Sequence, residues 1–168
     1  MRLVLLALLT FATMSAMAEA EAATSLTSQC GKDALIGNWK LILAEDFIDG
    51  KWVRFFGDEP QGYFSFSPDG WASVQFMKFP LDKSAPGEKS YLAYFGRYSV
   101  DQKACTFTVA IEGALNQNLV GTKAERPFKL EGSETLYVGD GISFRRTFVR
   151  MRFSPELPTQ QGQEGAPL

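Results

Sequence analysis

The chain contains no histidine. That absence excludes Ser-His-Asp and Cys-His catalysis, the HExxH zinc site and imidazole ligation of a metal or haem. Chemistry would have to come from Asp, Glu, Lys, Tyr or Arg. Cysteine is scarce, with only Cys30 and Cys105, so there is no thiolate cluster for zinc or iron. An excess of positive charge is missing as well: 17 Lys and Arg stand against 19 Asp and Glu, a formal charge of −2. No global field is available to hold a phosphate backbone by counterion release, and nucleic acid is not an expected partner. The chain carries no Gly-rich phosphate loop and no Asp-x-Asp calcium loop, so no metal or other cofactor is expected. Its longest apolar run, from Leu3 to Met14, falls short of the roughly 20 residues that a membrane-spanning helix needs.

That run follows Arg2 and precedes Ala16-Met17-Ala18 and Glu19, the layout of a secretory signal peptide over 1–18. The expected location is secreted or periplasmic, with no stable membrane insertion once the leader is removed. In an oxidising compartment Cys30 and Cys105 are expected to form one disulfide, two separate buried thiols being the alternative. Residues 19–34 read as an N-terminal arm with room for a short helical turn near its end. Residues 154–168, rich in Pro, Gln and Gly, lack apolar periodicity and read as a disordered tail.

Between them, over 35–153, short runs of aromatic and β-branched residues alternate with turn chemistry. The turns fall at Asp49-Gly50, Ser67-Pro68-Asp69-Gly70, Val100-Asp101-Gln102-Lys103, Gly132-Ser133 and Asp140-Gly141. The pattern predicts strands over 37–46, 52–56, 62–67, 71–78, 93–100, 105–112, 123–131, 134–138 and 143–153. The best helical window, 87–94, is short. Consecutive antiparallel strands without crossover helices predict an all-β fold, an up-and-down barrel of eight to nine strands, because closure removes exposed sheet edges. Periodicity does not say which face of each strand points inward. Trp71, Ser73, Gln75 and Met77 oppose Ala72, Val74 and Phe76, and neither set is plainly solvent-facing.

Gly37-Asn38-Trp39, opening the first long strand, resembles the Gly-x-Trp signature of lipocalins. In that signature an Arg of the closing strand lies against the Trp at the sealed end of the barrel, and Arg150 or Arg152 occupies the corresponding region. Three longer stretches, 35–41, 67–77 and 91–101, resemble the bacterial and fungal lipocalin-like domain family, calycin-type single barrels of mostly unassigned function. Ile111-Glu112-Gly113, Asn118, Val120-Gly121-Thr122 and Arg126 continue the likeness. Two positions depart from it: the family commonly places His where Val109 stands, and a Pro-Asn-Trp turn where this chain has Gln117-Asn118-Leu119. Loss of that histidine removes the obvious proton shuttle of a catalytic member.

The resemblance implies polar anchors at Ser73, Gln75, Tyr94, Glu112, Asn118 and Arg126. Each has an ordinary structural role open to it, such as a solvated strand face or a cross-strand pair of Glu112 with Arg126. Three function classes follow. A hollow barrel would bind a small lipophilic molecule, with those residues fixing its orientation. A solid barrel would act as an interaction protein through rim loops 80–90 and 113–121. An isomerase or cyclase would need a buried Glu112 carboxyl or tyrosine hydroxyls, and the missing histidine and the export signal argue against it. No residue is assigned a catalytic role, and oligomeric state is not readable.

Overall fold

A computed structural model describes residues 30–80 and 90–152. The expected signal peptide, most of the expected N-terminal arm, most of loop 80–90 and the expected disordered tail lie outside the described residues. One short helix, α1 (Lys32–Leu35), precedes nine strands: β1 (Gly37–Ile48), β2 (Lys51–Val53), β3 (Gln61–Phe66), β4 (Trp71–Met77), β5 (Tyr91–Asp101), β6 (Thr106–Ala114), β7 (Lys123–Glu131), β8 (Thr135–Val138) and β9 (Phe144–Arg150). A 3-10 turn, Gln117–Leu119, joins β6 to β7. The expected helix over 87–94 is corrected at its described end. Tyr91 to Tyr94 belong to β5, where Tyr91 pairs with Met77 and Tyr94 with Val74. Four alternating residues facing a neighbouring strand gain a hydrogen-bonded ladder that an isolated short helix lacks.

All pairings are antiparallel, and the strands follow sequence order around the sheet. The twelve-residue β1 closes it. One edge of β1 carries β3 at its start and β2 at its end, and the other carries β9 from Trp39↔Arg150 to Asp46↔Phe144. Eight strands therefore form a closed barrel, and β2 is an extra strand at the rim. The β1–β2 hairpin turns at Asp49 and Gly50, whose φ values of 50° and 76° match the right-handed twist of the flanking strands.

One end of the barrel is sealed. Trp39 is fully buried, its indole N–H donates to Leu35 O at 2.8 Å, and Leu35 itself plugs the floor. The Arg150 guanidinium lies 4.0 Å from the Trp39 ring centroid. It donates to Ala34 O at 2.8 Å, Ile36 O at 2.6 Å and Ser133 O at 2.6 Å, tying the N-terminal segment to β9 and to the β7–β8 turn. Gly37 has φ +129°, and a Cβ there would stand 2.9 Å from that guanidinium, so glycine suits both the backbone and the stack. Of the two candidates, Arg150 closes the barrel. Arg152 is exposed and pairs with Glu134 at 3.0 Å.

Cys30 and Cys105 form the expected disulfide, with Cα atoms 5.1 Å apart, and fasten the residues before α1 to the β5–β6 turn at this same end. Above the floor the lower half of the interior is solid. Phe64 and Phe66 stack at 4.2 Å, and Phe107 meets both edge-on at 5.2 Å, with Tyr98, Phe128 and Phe148 packed around them. Such edge-to-face contacts match negative ring faces to positive edges while burying the rings.

Candidate functional site

The phase of each strand decides what the upper half of the interior contains. In β4, Ala72, Val74 and Phe76 are buried, so Ser73 and Gln75 face outward. Ser73 stands opposite Phe95 and Val74 opposite Tyr94, and directly opposed residues share a face. Tyr94 therefore points inward, where it is 7% exposed, and the expected convergence of Ser73 and Gln75 with Tyr94 does not occur. Ser73 and Gln75 instead border a shallow depression on the outer wall, where Gln75 accepts a hydrogen bond from the Tyr91 hydroxyl at 3.3 Å.

Glu112 also faces outward. The β5–β6 register shifts between Phe95↔Gly113 and Gly96↔Ile111, which leaves Glu112 as the extra residue of a β-bulge, exposed on the outside. Gly96 permits the shift, since a Cβ there would fall 1.8 Å from Ala110 O. The cross-strand pair of Glu112 with Arg126 is thus absent. Asn118 lies exposed in the 3-10 turn, where its N–H donates to Asn116 Oδ1 at 3.0 Å. Val109, the position at which the resemblance leads one to expect histidine, is fully buried among apolar side chains.

Of the six expected anchors, Tyr94 and Arg126 share one pocket. It measures about 330 Å³ and lies above the aromatic floor. Its apolar wall comes from Phe64, Phe76, Leu92, Val138, Phe144 and Phe148, and its polar groups from Tyr94, Arg126, Asp46, Arg146 and Ser143. Seven strands contribute, because only a closed sheet aims side chains from opposite walls at one volume. A second pocket of about 340 Å³ adjoins it at the mouth, sharing Asp46, Leu92 and Arg146 and adding Ile48, Phe55, Phe56 and Leu119. Phe56, just past β2, is buried and packs edge-on against Phe76 at 5.9 Å. The strand β2 ends at Val53, short of the expected residue 56, because the chain turns at Arg54–Gly57, where the Gly57 N–H donates to Arg54 O at 3.0 Å.

The polar groups are unequal. Arg146 is paired: its guanidinium reaches Asp46 Oδ1 at 2.6 Å and also donates to the main-chain oxygens of Glu45 and Arg145. Arg126 donates to Glu125 O at 2.8 Å and stacks 5.1 Å from the Phe144 ring, but no carboxylate pairs with it among the described residues. The Tyr94 hydroxyl makes no hydrogen bond among the described residues, and since no buried side-chain polar atom among them lacks a partner, its oxygen opens to the pocket although the ring is buried. Burial pushes its pKa up, against the opposing pull of the Arg126 and Arg146 charges, so at neutral pH it is a protonated donor.

Asp46, Ser143, Phe144 and Arg146 were not among the residues singled out from the sequence. Their signal is the inward phase shared by Phe144, Arg146, Phe148 and Arg150, two residues apart along β9. Among the described residues no cluster of His, Cys, Asp and Glu could hold a metal ion, and no helix is long and apolar enough to cross a membrane.

Residues 80–145, from early in the β4–β5 connection to the start of β9, match the family model of the lipocalin-like domain. Over that stretch the barrel is similar to the lipocalin-like domain family. No curated protein matches the chain. Among solved structures it is similar to a lipocalin-like protein from Bacteroides uniformis, with 15% identity over 70% of this chain and 99% of that one and a TM-score of 0.46. An uncharacterized protein from Bacteroides eggerthii shares 12% identity over 70% and 99% of the two chains, with a TM-score of 0.42. A redesigned β-barrel shares 16% identity over 72% and 95%, with a TM-score of 0.42.

Proposed function

We propose that this is an exported lipocalin-like barrel that binds a small lipophilic molecule in the upper half of its interior. One observation carries the reading: an aromatic and aliphatic wall surrounds a tyrosine hydroxyl and a guanidinium, neither of which has a side-chain hydrogen-bond or ion-pair partner among the described residues. Apolar walls supply burial at roughly 25 cal/mol per Å², and a few unspent polar groups fix orientation. Binding of this kind requires no catalytic group. The leader layout of residues 1–18 and the Cys30–Cys105 disulfide support export.

The test is a titration of the oxidised, leader-free protein with Nile red, a neutral lipophilic dye. Saturable binding at micromolar dye is expected. Leu92→Trp, which places an indole where the two pockets meet, should weaken it about tenfold or more, since overfilling a binding volume removes contact for the ligand. Gln75→Ala on the outer wall should leave it unchanged. Dye that fails to saturate, or that binds Leu92→Trp as well as the parent, overturns the reading.

A further inference from the structure

The charge balance inside the pocket defines the ligand more narrowly than "lipophilic". Three ionised side chains line it: Asp46, Arg126 and Arg146. Asp46 and Arg146 cancel each other at 2.6 Å, and Arg146 also binds two main-chain oxygens. Arg126 has no carboxylate partner among the described residues, and its hydrogen bond goes to a neutral carbonyl, Glu125 O. Both guanidiniums lie near the Phe144 ring, Arg126 at 5.1 Å and Arg146 at 5.5 Å from its centroid. Among the described residues the lining therefore carries a single uncompensated positive charge beside a hydroxyl donor that opens to the pocket. A charge in a partly desolvated site is stabilised by an ion that matches it.

Building on the lipophilic-ligand reading, we propose that the pocket selects a long-chain monocarboxylate, held with its carboxylate on Arg126 and Tyr94 and its chain directed toward the mouth. A carboxylate accepts two parallel N–H bonds from a guanidinium and keeps lone pairs for the tyrosine O–H. An alcohol of the same length offers one oxygen and leaves the guanidinium without a counterion. A phosphate monoester carries between one and two negative charges at neutral pH and brings the excess against Asp46. The direction of the chain follows from packing. Phe64, Phe66, Phe107, Phe128 and Phe148 fill the space below, whereas the mouth pocket under Phe55 and Phe56 adjoins the site through Leu92.

The experiment displaces bound Nile red from the oxidised protein with dodecanoate, dodecanol or dodecyl phosphate at neutral pH. Dodecanoate is expected to displace the dye at about one-tenth the concentration of dodecanol or less, and to act better than dodecyl phosphate. In Arg126→Met, with its fold checked by circular dichroism, the acid-to-alcohol ratio should collapse toward one. Arg126→Lys should retain part of it, since a point charge replaces a planar fork. Equal displacement by acid and alcohol, a ratio that survives Arg126→Met, or stronger displacement by the phosphate overturns the carboxylate assignment and leaves the cup standing. Absence of saturable Nile red binding removes the cup and the assignment together.

Discussion

Exchanging Arg150 for methionine keeps most of the apolar stem and deletes the guanidinium that spans three segments of chain. Two of its hydrogen bonds, to Ala34 O and Ile36 O, are partly buried, and the third, to Ser133 O, is exposed. A hydrogen bond to a charged group contributes about 1.5 to 3 kcal/mol when well shielded. Discounting for partial exposure leaves about 1 kcal/mol for each of the first two and little for the third. The contact over Trp39 at 4.0 Å adds about 1 kcal/mol. Arg150→Met should therefore cost about 3 kcal/mol, and with a urea slope of about 2 kcal/mol per M the midpoint should fall by about 1.5 M. Arg150→Lys should recover less than half, because an ammonium cannot bridge carbonyls lying in different directions and stacks less well on an indole. Urea unfolding of the oxidised protein, followed by tryptophan fluorescence, measures both. A loss below about 1 kcal/mol for the methionine variant at unchanged slope, or full recovery by lysine, refutes the account of the sealed end.

Two further outcomes are expected. Cys30→Ser with Cys105→Ser opens a loop closed across a sequence separation of 75 and should lower stability by on the order of 4 kcal/mol in the chain-entropy model, read as the difference in urea unfolding between parent and double variant; an unchanged midpoint contradicts it. Asp140 caps the β8–β9 turn by accepting from the Ile142, Ser143 and Phe144 N–H groups and the Ser143 hydroxyl, which hold its carboxyl well below its ordinary pKa of 3.8. A depressed folded pKa contributes stability that is present above the unfolded value and lost as pH falls below it. The deficit of Asp140→Asn relative to the parent should thus be largest near neutral pH and shrink in acid, as thermal unfolding across that range will show; a deficit independent of pH contradicts it.

Architecture and the sealed end were legible in the sequence because their signals are local. Turn residues such as Asp49-Gly50 cut the strands, and the Gly37-Asn38-Trp39 tripeptide marks the floor. Phase was not legible. In β4 both faces carry large side chains, since Trp71 and Met77 flank Ser73 and Gln75 on the outer wall, so composition does not separate inside from outside. Cross-strand register settles it, and register across five residues of loop or more is a tertiary property. The β-bulge that turns Glu112 outward depends on the approach of Gly96 to Ala110 O from another strand, which no period-two reading contains. Tyr94 and Arg126 were found through the family likeness. Asp46 and Arg146 were missed because their pairing spans 100 residues and the Arg145-Arg146 dipeptide reads as surface charge until the strand is phased.

The described chain enters and leaves the barrel on its sealed side. Cys30 is fastened there to the β5–β6 turn, and Met151 donates its N–H to Asn38 O at 2.8 Å. Nothing that tethers the protein by residues beyond either point has to cross the mouth. A linkage joined directly at residue 30 or residue 152 would therefore leave the barrel on the side away from its opening. That places the points of attachment and the open mouth on opposite poles of the barrel.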